Sequence, residues 1–184
     1  MTARYRIDSC IARVDAAEYG ICRRINRAAS VRSVRSLFGI ASRLGDGIFW
    51  YALLLALPLI YGRSAVRPAL CMAITGLIGV GLYKWLKHAV VRERPFITHL
   101  GISLGATPLD RYSFPSGHTL HAVSFSWQAI AAFPELAWVL VPLSLLIAAS
   151  RVVLGLHYPT DVLAGAAIGS ALATIGRSLG EALV

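Results

Sequence analysis

Between residues 87 and 161 the chain sets three cations (Lys87, Arg94, Arg151), two imidazoles (His118, His157) and one carboxylate (Asp161) among strongly apolar runs. They fall in three stretches: Lys87-His-Ala-Val-Val-Arg-Glu-Arg94-Pro95, Phe114-Pro115-Ser116-Gly117-His118-Thr119, and Ser150-Arg151-Val-Val-Leu-Gly-Leu-His157-Tyr-Pro-Thr-Asp161. Charges beside segments apolar enough to cross a bilayer are costly, so such a set reads as a functional site.

Lys87 and Arg94 stand seven residues apart, two helical turns, and share one face if the helix continues; Pro95 disfavours helical geometry at Arg94 and ends the helix there. Two cations converging at a helix end could hold an anion. They could also snorkel to lipid headgroups, which is the reading accepted for Lys84. Ser116 and Gly117 sit where the third apolar run begins, and the first N–H groups of a helix lack internal partners and favour an anion. Gly117 lets backbone come close, and His118 could exchange a proton there or simply cap the helix. Arg151 lies too deep in its run for an ordinary surface arginine and calls for an anionic partner. Asp161 is the single acid between Glu135 and Glu181, just after Pro159 in a helix's first turn. It can accept a hydrogen bond from one ring nitrogen of His157, leaving the other as nucleophile or base; capping the helix is its alternative use.

Lysine, six residues, arginine, proline; proline, serine, glycine, histidine; serine, arginine, five residues, histidine, three residues, aspartate: together these resemble the full signature of the type 2 phosphatidic acid phosphatase superfamily, which includes lipid phosphate phosphatases and vanadium haloperoxidases. The resemblance runs from residue 87 to 161 and leaves the first 45 residues outside it. It implies that His157 attacks phosphorus to form a phosphohistidine, with Asp161 orienting it. It implies further that His118 protonates the leaving group and that Lys87, Arg94, Arg151, Ser116 and Gly117 hold the phosphoryl oxygens. Three cations with helix N–H groups can stabilise phosphoryl transfer without a metal, so no cofactor and no metal site is expected. Acids are too scarce for a two-metal site.

The elements that must position these residues are set by composition. Hydrophobic residues make up 57% and charged ones 15% of the 184, with a mean hydropathy of +0.65, which excludes an ordinary water-soluble domain. At about 20 apolar residues per crossing, candidate spans fall at 47–62, 68–86, 117–133, 136–156 and 160–179. The expected fold is all-α: a polytopic membrane helix bundle of about five transmembrane helices, plus an N-terminal amphipathic interfacial helix. Residues 1–45 form the basic interfacial segment and residues 46–184 the transmembrane domain. Loop 96–114, with Gly101, Gly105, Pro108 and Asp110 as turn residues, is long enough to be functional. Trp50, Tyr51, Tyr83 and Trp85 suit an aromatic belt, and Gly165 with Gly169 suits close helix packing.

Residues 1–45 carry nine arginines against Asp8, Asp15 and Glu18, two thirds of the net charge of +9. The arginines alternate with Ile7, Ile11, Val14, Ile21, Ile25 and Val31 at helical intervals, which reads as a helix on anionic headgroups rather than a nucleic-acid module. Cys10, Cys22 and Cys71 are expected to be free thiols, and the absence of an apolar run before residue 47 means no cleavable signal.

Three other classes compete. A serine hydrolase could pair Ser116 with His157, but Ser116 lacks the Gly-x-Ser-x-Gly surround. A metalloenzyme could start from His118 and His121, which lack a carboxylate partner in sequence. An anion carrier would have no use for a His157–Asp161 pair. The short chain and basic N-terminus resemble bacterial lipid and polyprenyl pyrophosphate phosphatases. The implied partners are therefore the bilayer and a lipid phosphate of phosphatidic acid, phosphatidylglycerol phosphate, undecaprenyl pyrophosphate or lipid-linked sugar phosphate type. The expected location is a bacterial inner membrane. Span parity gathers the motifs on one face with the N-terminal arginines; the positive-inside rule then argues for a cytoplasmic site, whereas the resemblance implies an exterior one, which is the reading taken.

Overall fold

The computed structural model describes residues 2–182, with side chains described for residues 12–180. The Cys10 thiol and the side chains of Ile7, Asp8 and Ile11 lie outside the described residues. Among those described the chain is all-helical: α1 (Thr2–Asn26), α2 (Arg32–Leu44), α3 (Ile48–Tyr61), α4 (Val66–Val90), α5 (Pro95–Thr98), α6 (Gly117–Ala132), α7 (Ala137–Val153) and α8 (Pro159–Ala182).

Three stretches are long and apolar enough to cross a membrane: Ile48–Thr98, Pro134–Val153 and Pro159–Gly180. The first is folded back on itself. Gly62, at φ 67°, takes a backbone conformation that side chains disfavour and separates α3 from α4. Helices therefore cover all five expected spans, and the two shortest are α3 and α6. α3 has 14 residues and α6 has 16, so at a rise of about 1.5 Å per residue they reach only about 21 and 24 Å, less than a hydrocarbon core of about 30 Å.

α6 is short and polar because it is the centre of the bundle, packed by α4, α7 and α8. Its Ser124, Ser126 and Gln128 are buried and satisfied locally: Ser126 Oγ lies 2.7 Å from Ser144 Oγ on α7, and Gln128 Nε2 donates to the Ser124 carbonyl at 3.2 Å. Gly165 and Gly169 bring α8 against α6; a methyl at either would run into the carbonyl oxygens of Ser116 and Leu120. Trp50, Leu57, Met72, Phe125, Leu140 and Ile147 form the apolar core. Trp50 is thus not a belt residue: it is 1% exposed and packs edge-on to Phe49 and against Phe125. The outer faces carry Leu59, Leu77, Trp138 and Leu163, all well exposed, as a lipid-facing surface requires.

α4 ends at Val90, four residues before the expected stop, because Val91 turns left-handed (φ 54°) and its N–H closes onto the Lys87 carbonyl. Arg94 is extended (φ −81°, ψ 151°), as a residue before proline prefers, and Pro95 opens α5. Lys87 and Arg94 therefore do not share a helix face. They meet because the chain bends between them.

Candidate active site

One end of the bundle collects the start of α3, the end of α4, the start of α6, the end of α7 and the start of α8. A cavity of about 400 Å³ opens there, walled on the polar side by Asp46, Lys87, Arg94, Asp110, Gly117, His118, Arg151 and His157. Trp50, Leu54, Leu77, Val80 and Phe125 continue it as an apolar groove toward the bundle's flank. A phosphate-sized anion and an apolar tail could both be housed, in different chemistry.

His157 lies in the tight turn between α7 and α8 that Gly155 makes at φ 72°. It is 1% exposed. Its Nε2 lies 3.2 Å from Arg94 Nη1; a guanidinium only donates, so Nε2 must carry the lone pair and the proton must sit on Nδ1. That Nδ1 points toward Asp161 Oδ2 at 3.5 Å, a contact too long to count as a hydrogen bond. Asp161 spends its acceptors elsewhere: Oδ2 takes the Tyr158 N–H at 2.8 Å and Oδ1 takes Arg92 Nη1 at 2.6 Å. Burial, followed by the charges of Arg94, Arg151 and Lys87, pushes the His157 imidazole well below the ordinary histidine range, which keeps the ring neutral.

The cations reach the cavity from separate elements. Lys87 and Arg94 are 5% and 2% exposed and both meet Asp110 Oδ1, each at 2.7 Å. Burial acts to raise the Asp110 carboxyl, but Lys87 and Arg94 outweigh it and hold it below the usual carboxylate range. Arg151 donates to Ser42 Oγ on α2, and its Nε has no partner. No carboxylate is ion-paired with Arg151 among the described residues, so the anionic partner its depth calls for is not supplied by a described acid. His118 Nε2 lies 2.5 Å from Asp46 Oδ1 in the turn between α2 and α3.

Gly117 opens α6 on the cavity wall, where the nearest atoms to an added Cβ would be those of the Tyr83 ring, at ordinary contact distance. Ser116 is not on that wall. It is fully buried, caps α6 by accepting from the Thr119 N–H, and lies 3.0 Å from Thr119 Oγ1. Asp161 likewise stands behind His157 rather than beside it. Both nitrogens of His121 face carbonyl oxygens, of Gly117 and Gly76.

Five residues that the spacing of motifs did not single out complete the arrangement: Asp110, Asp46, Ser42, Arg92 and Glu18. Arg92 stacks 4.0 Å over the Tyr158 ring and ion-pairs with Asp15, Glu18 and Asp161 at 2.6, 2.8 and 2.6 Å. Glu18 also accepts from the Thr160 N–H at 2.7 Å, so α1 caps the start of α8 in trans. A signal existed for Arg92, which sits inside the first motif, for Asp46, wedged between Gly45 and Gly47 before the first apolar run, and for Asp110 as a turn residue of the long loop.

Comparison with known proteins points to one family and one fold. The family model described as the PAP2 superfamily matches residues 64–182. The chain is 34% identical over 114 residues to the undecaprenyl-diphosphatase BcrC of Bacillus subtilis, a match that spans 61% of this chain and 58% of that protein. It is 30% identical over 142 residues to an undecaprenyl-diphosphatase of Sulfolobus acidocaldarius, 76% of this chain and 68% of that one. Among solved structures, the transmembrane PAP2 type phosphatidylglycerolphosphate phosphatase of Bacillus subtilis superposes with a TM-score of 0.72 at 21% identity, covering 100% of this chain and 98% of its own. Aquifex aeolicus LpxE gives a TM-score of 0.72 at 24% identity, covering 88% and 95%. The fold likeness thus includes the N-terminal helices that precede the family match.

Proposed function

The chain belongs to the PAP2 superfamily and is a multi-pass membrane protein, and from that premise we propose that it hydrolyses the terminal phosphate or diphosphate of a membrane lipid. In this reading His157 Nε2 attacks phosphorus and the bond to the leaving oxygen breaks, giving a phosphohistidine. His118 gives its proton to the departing lipid hydroxyl or phosphate, then takes one from the water that hydrolyses the phosphohistidine and releases inorganic phosphate. Lys87, Arg94, Arg151 and the Gly117 N–H hold the phosphoryl oxygens, Ser116 supports them by fixing the α6 terminus, and Asp161 orients His157 from behind. No metal is needed, because three cations supply the charge stabilisation.

The observation that carries this reading is the Arg94–His157 contact on the cavity wall: the guanidinium fixes Nε2 as the unprotonated nitrogen, among buried cations that can hold a phosphoryl group. The substrate proposed first is a polyprenyl diphosphate, since two relatives of about one-third identity bear the name undecaprenyl-diphosphatase. A lipid-linked sugar phosphate is the second reading, supported by 35% identity over 96 residues to a decaprenylphosphoryl-5-phosphoribose phosphatase of Mycobacterium tuberculosis. Five crossings, with α1 and α2 lying on the interface, are part of the proposal; the exposed Ile21, Val31, Leu37 and Ile40 among the N-terminal arginines support it. The test is phosphate release from a panel containing undecaprenyl diphosphate, phosphatidic acid, phosphatidylglycerol phosphate and a prenyl-linked pentose phosphate. Release from none of them would end the phosphatase reading; preference for the last would select the second.

A further inference from the structure

Lys87 and Arg94 already hold an anion, and it is the protein's own. Asp110 Oδ1 lies 2.7 Å from Lys87 Nζ and 2.7 Å from Arg94 Nη2. The other terminal nitrogen of that guanidinium, Nη1, faces His157 Nε2 at 3.2 Å. One carboxylate oxygen shared by two cations, one guanidinium away from the proposed nucleophile, has the position and charge expected of a phosphoryl oxygen. The two sides of the contact differ in exposure. The cations are buried, at 6% and 2% side-chain exposure, whereas the Asp110 side chain is 39% exposed and belongs to the loop between α5 and α6.

We propose that the Asp110 carboxylate is a displaceable counter-ion in the phosphoryl seat, which an incoming phosphate must expel and which returns to help expel the inorganic phosphate product. The proposal rests on the phosphatase reading above. Its physical basis is charge. Buried cations without an anion would repel one another, and would hold a doubly charged product tightly enough to slow turnover. A singly charged carboxylate relieves the repulsion yet is outbid by a dianion. The displacement cost falls equally on every anion that uses the seat, so Asp110 raises KM and weakens product inhibition together rather than choosing among lipids.

The loop is secured independently of that carboxylate. Lys87 Nζ also donates to the Tyr112 carbonyl at 2.7 Å, and Arg94 Nε to the Asp110 carbonyl at 3.0 Å. Removing the charge therefore leaves two backbone contacts in place, and Asp110→Asn should fold.

The experiment compares the full chain in detergent micelles with its Asp110→Asn variant, measuring direct binding of orthovanadate by titration, inhibition by inorganic phosphate, and KM and kcat on one lipid phosphate. The expected result is vanadate and phosphate bound about tenfold or more tightly, the size of a modest charge-pair coupling, with KM lowered alongside. Should Asp110→Asn lower the melting temperature, Asp110→Ser serves as the second neutral variant. Vanadate bound equally or more weakly by a folded neutral variant would overturn the proposal and make Asp110 a strut that positions the cations. A wild-type chain that binds vanadate but releases no phosphate from any lipid would instead remove the phosphatase reading.

Discussion

A histidine nitrogen can attack phosphorus only if it carries a lone pair and not a proton, and Arg94, which can only donate, fixes which nitrogen that is by facing His157 Nε2, a contact the incoming phosphoryl group must replace. His157→Ala should therefore abolish phosphate release in a folded protein, because removing one member of a catalytic unit costs several orders of magnitude; retention of more than about one per cent of turnover would defeat the assignment. Asp161→Asn should leave folded protein with a large loss of rate, and the structure adds that it would also strip Arg92 of one of three acidic partners. The same environment sets a pH dependence. The folded His157 pKa is depressed by burial, Arg94, Arg151, Lys87 and His118, so the unfolded chain binds a proton there that the folded one does not. Its contribution to stability is present above the ordinary histidine value of about 6.5 and is lost as pH falls below it. Chemical denaturation between pH 7 and 5 should then show a smaller loss of stability in His157→Gln than in wild type. The motif residues of the cavity were legible because each is an expensive group in an apolar run. Glu18 was not, and of Asp110 only its place in a long loop was, since an acid in a loop or an amphipathic helix is ordinary until its partner is seen.

At the scale of elements, α6 shows why apolarity alone miscounts a bundle. Hydropathy reports what faces lipid, whereas α6 faces α4, α7 and α8 and can carry Ser124, Ser126 and Gln128 because each finds a neighbour. The bend after α4 was hidden for another reason: valine gives no signal for a left-handed turn, so only proline's effect on Arg94 could be read. α1 was legible as a helix, but the inward use of Asp15 and Glu18 was not. Asp15 and Glu18 clamp Arg92, and Glu18 caps α8. Glu18→Ala should destabilise by roughly 1–3 kcal/mol, the cost of leaving buried donors with one partner fewer. It should also reduce kcat by loosening Arg92 and hence Asp161. Thermal melting in detergent together with steady-state kinetics checks both, with Arg111→Ala, whose Glu93 pair is solvent-exposed, as the control that should change neither. A Glu18→Ala protein as stable and as active as wild type would show that α1 merely rests on the site.

For the whole molecule, the cation count makes a prediction and the topology makes another. Three site cations, with no metal-binding set among the described residues, should give activity that survives excess EDTA and is inhibited by vanadate; loss in EDTA with recovery on added magnesium or zinc would refute the metal-free mechanism. The topology sets two arguments against each other. α3, α6 and α8 leave the cavity face and α4 and α7 return to it, so the N-terminal arginines share the site's side and the end of α8 lies opposite. The positive-inside rule applied to those arginines puts the cavity in the cytosol. That rule concerns charges in loops that must be translocated, and α1 and α2 instead pack across the bundle end: α2 lies along α7 and Asn26 is anchored to the Val153 carbonyl at 2.9 Å. The short connections at the far end are themselves basic, with Arg63 and Arg67 at the α3–α4 turn and Arg177 near the end of α8, against Glu135 and Glu181. We therefore expect the far end to be cytoplasmic and the cavity exterior. A fluorescent protein fused after Val184 should then glow, and a periplasm-dependent alkaline phosphatase at the same position should be inactive; the reverse pair of results would place the chemistry on the cytosolic face.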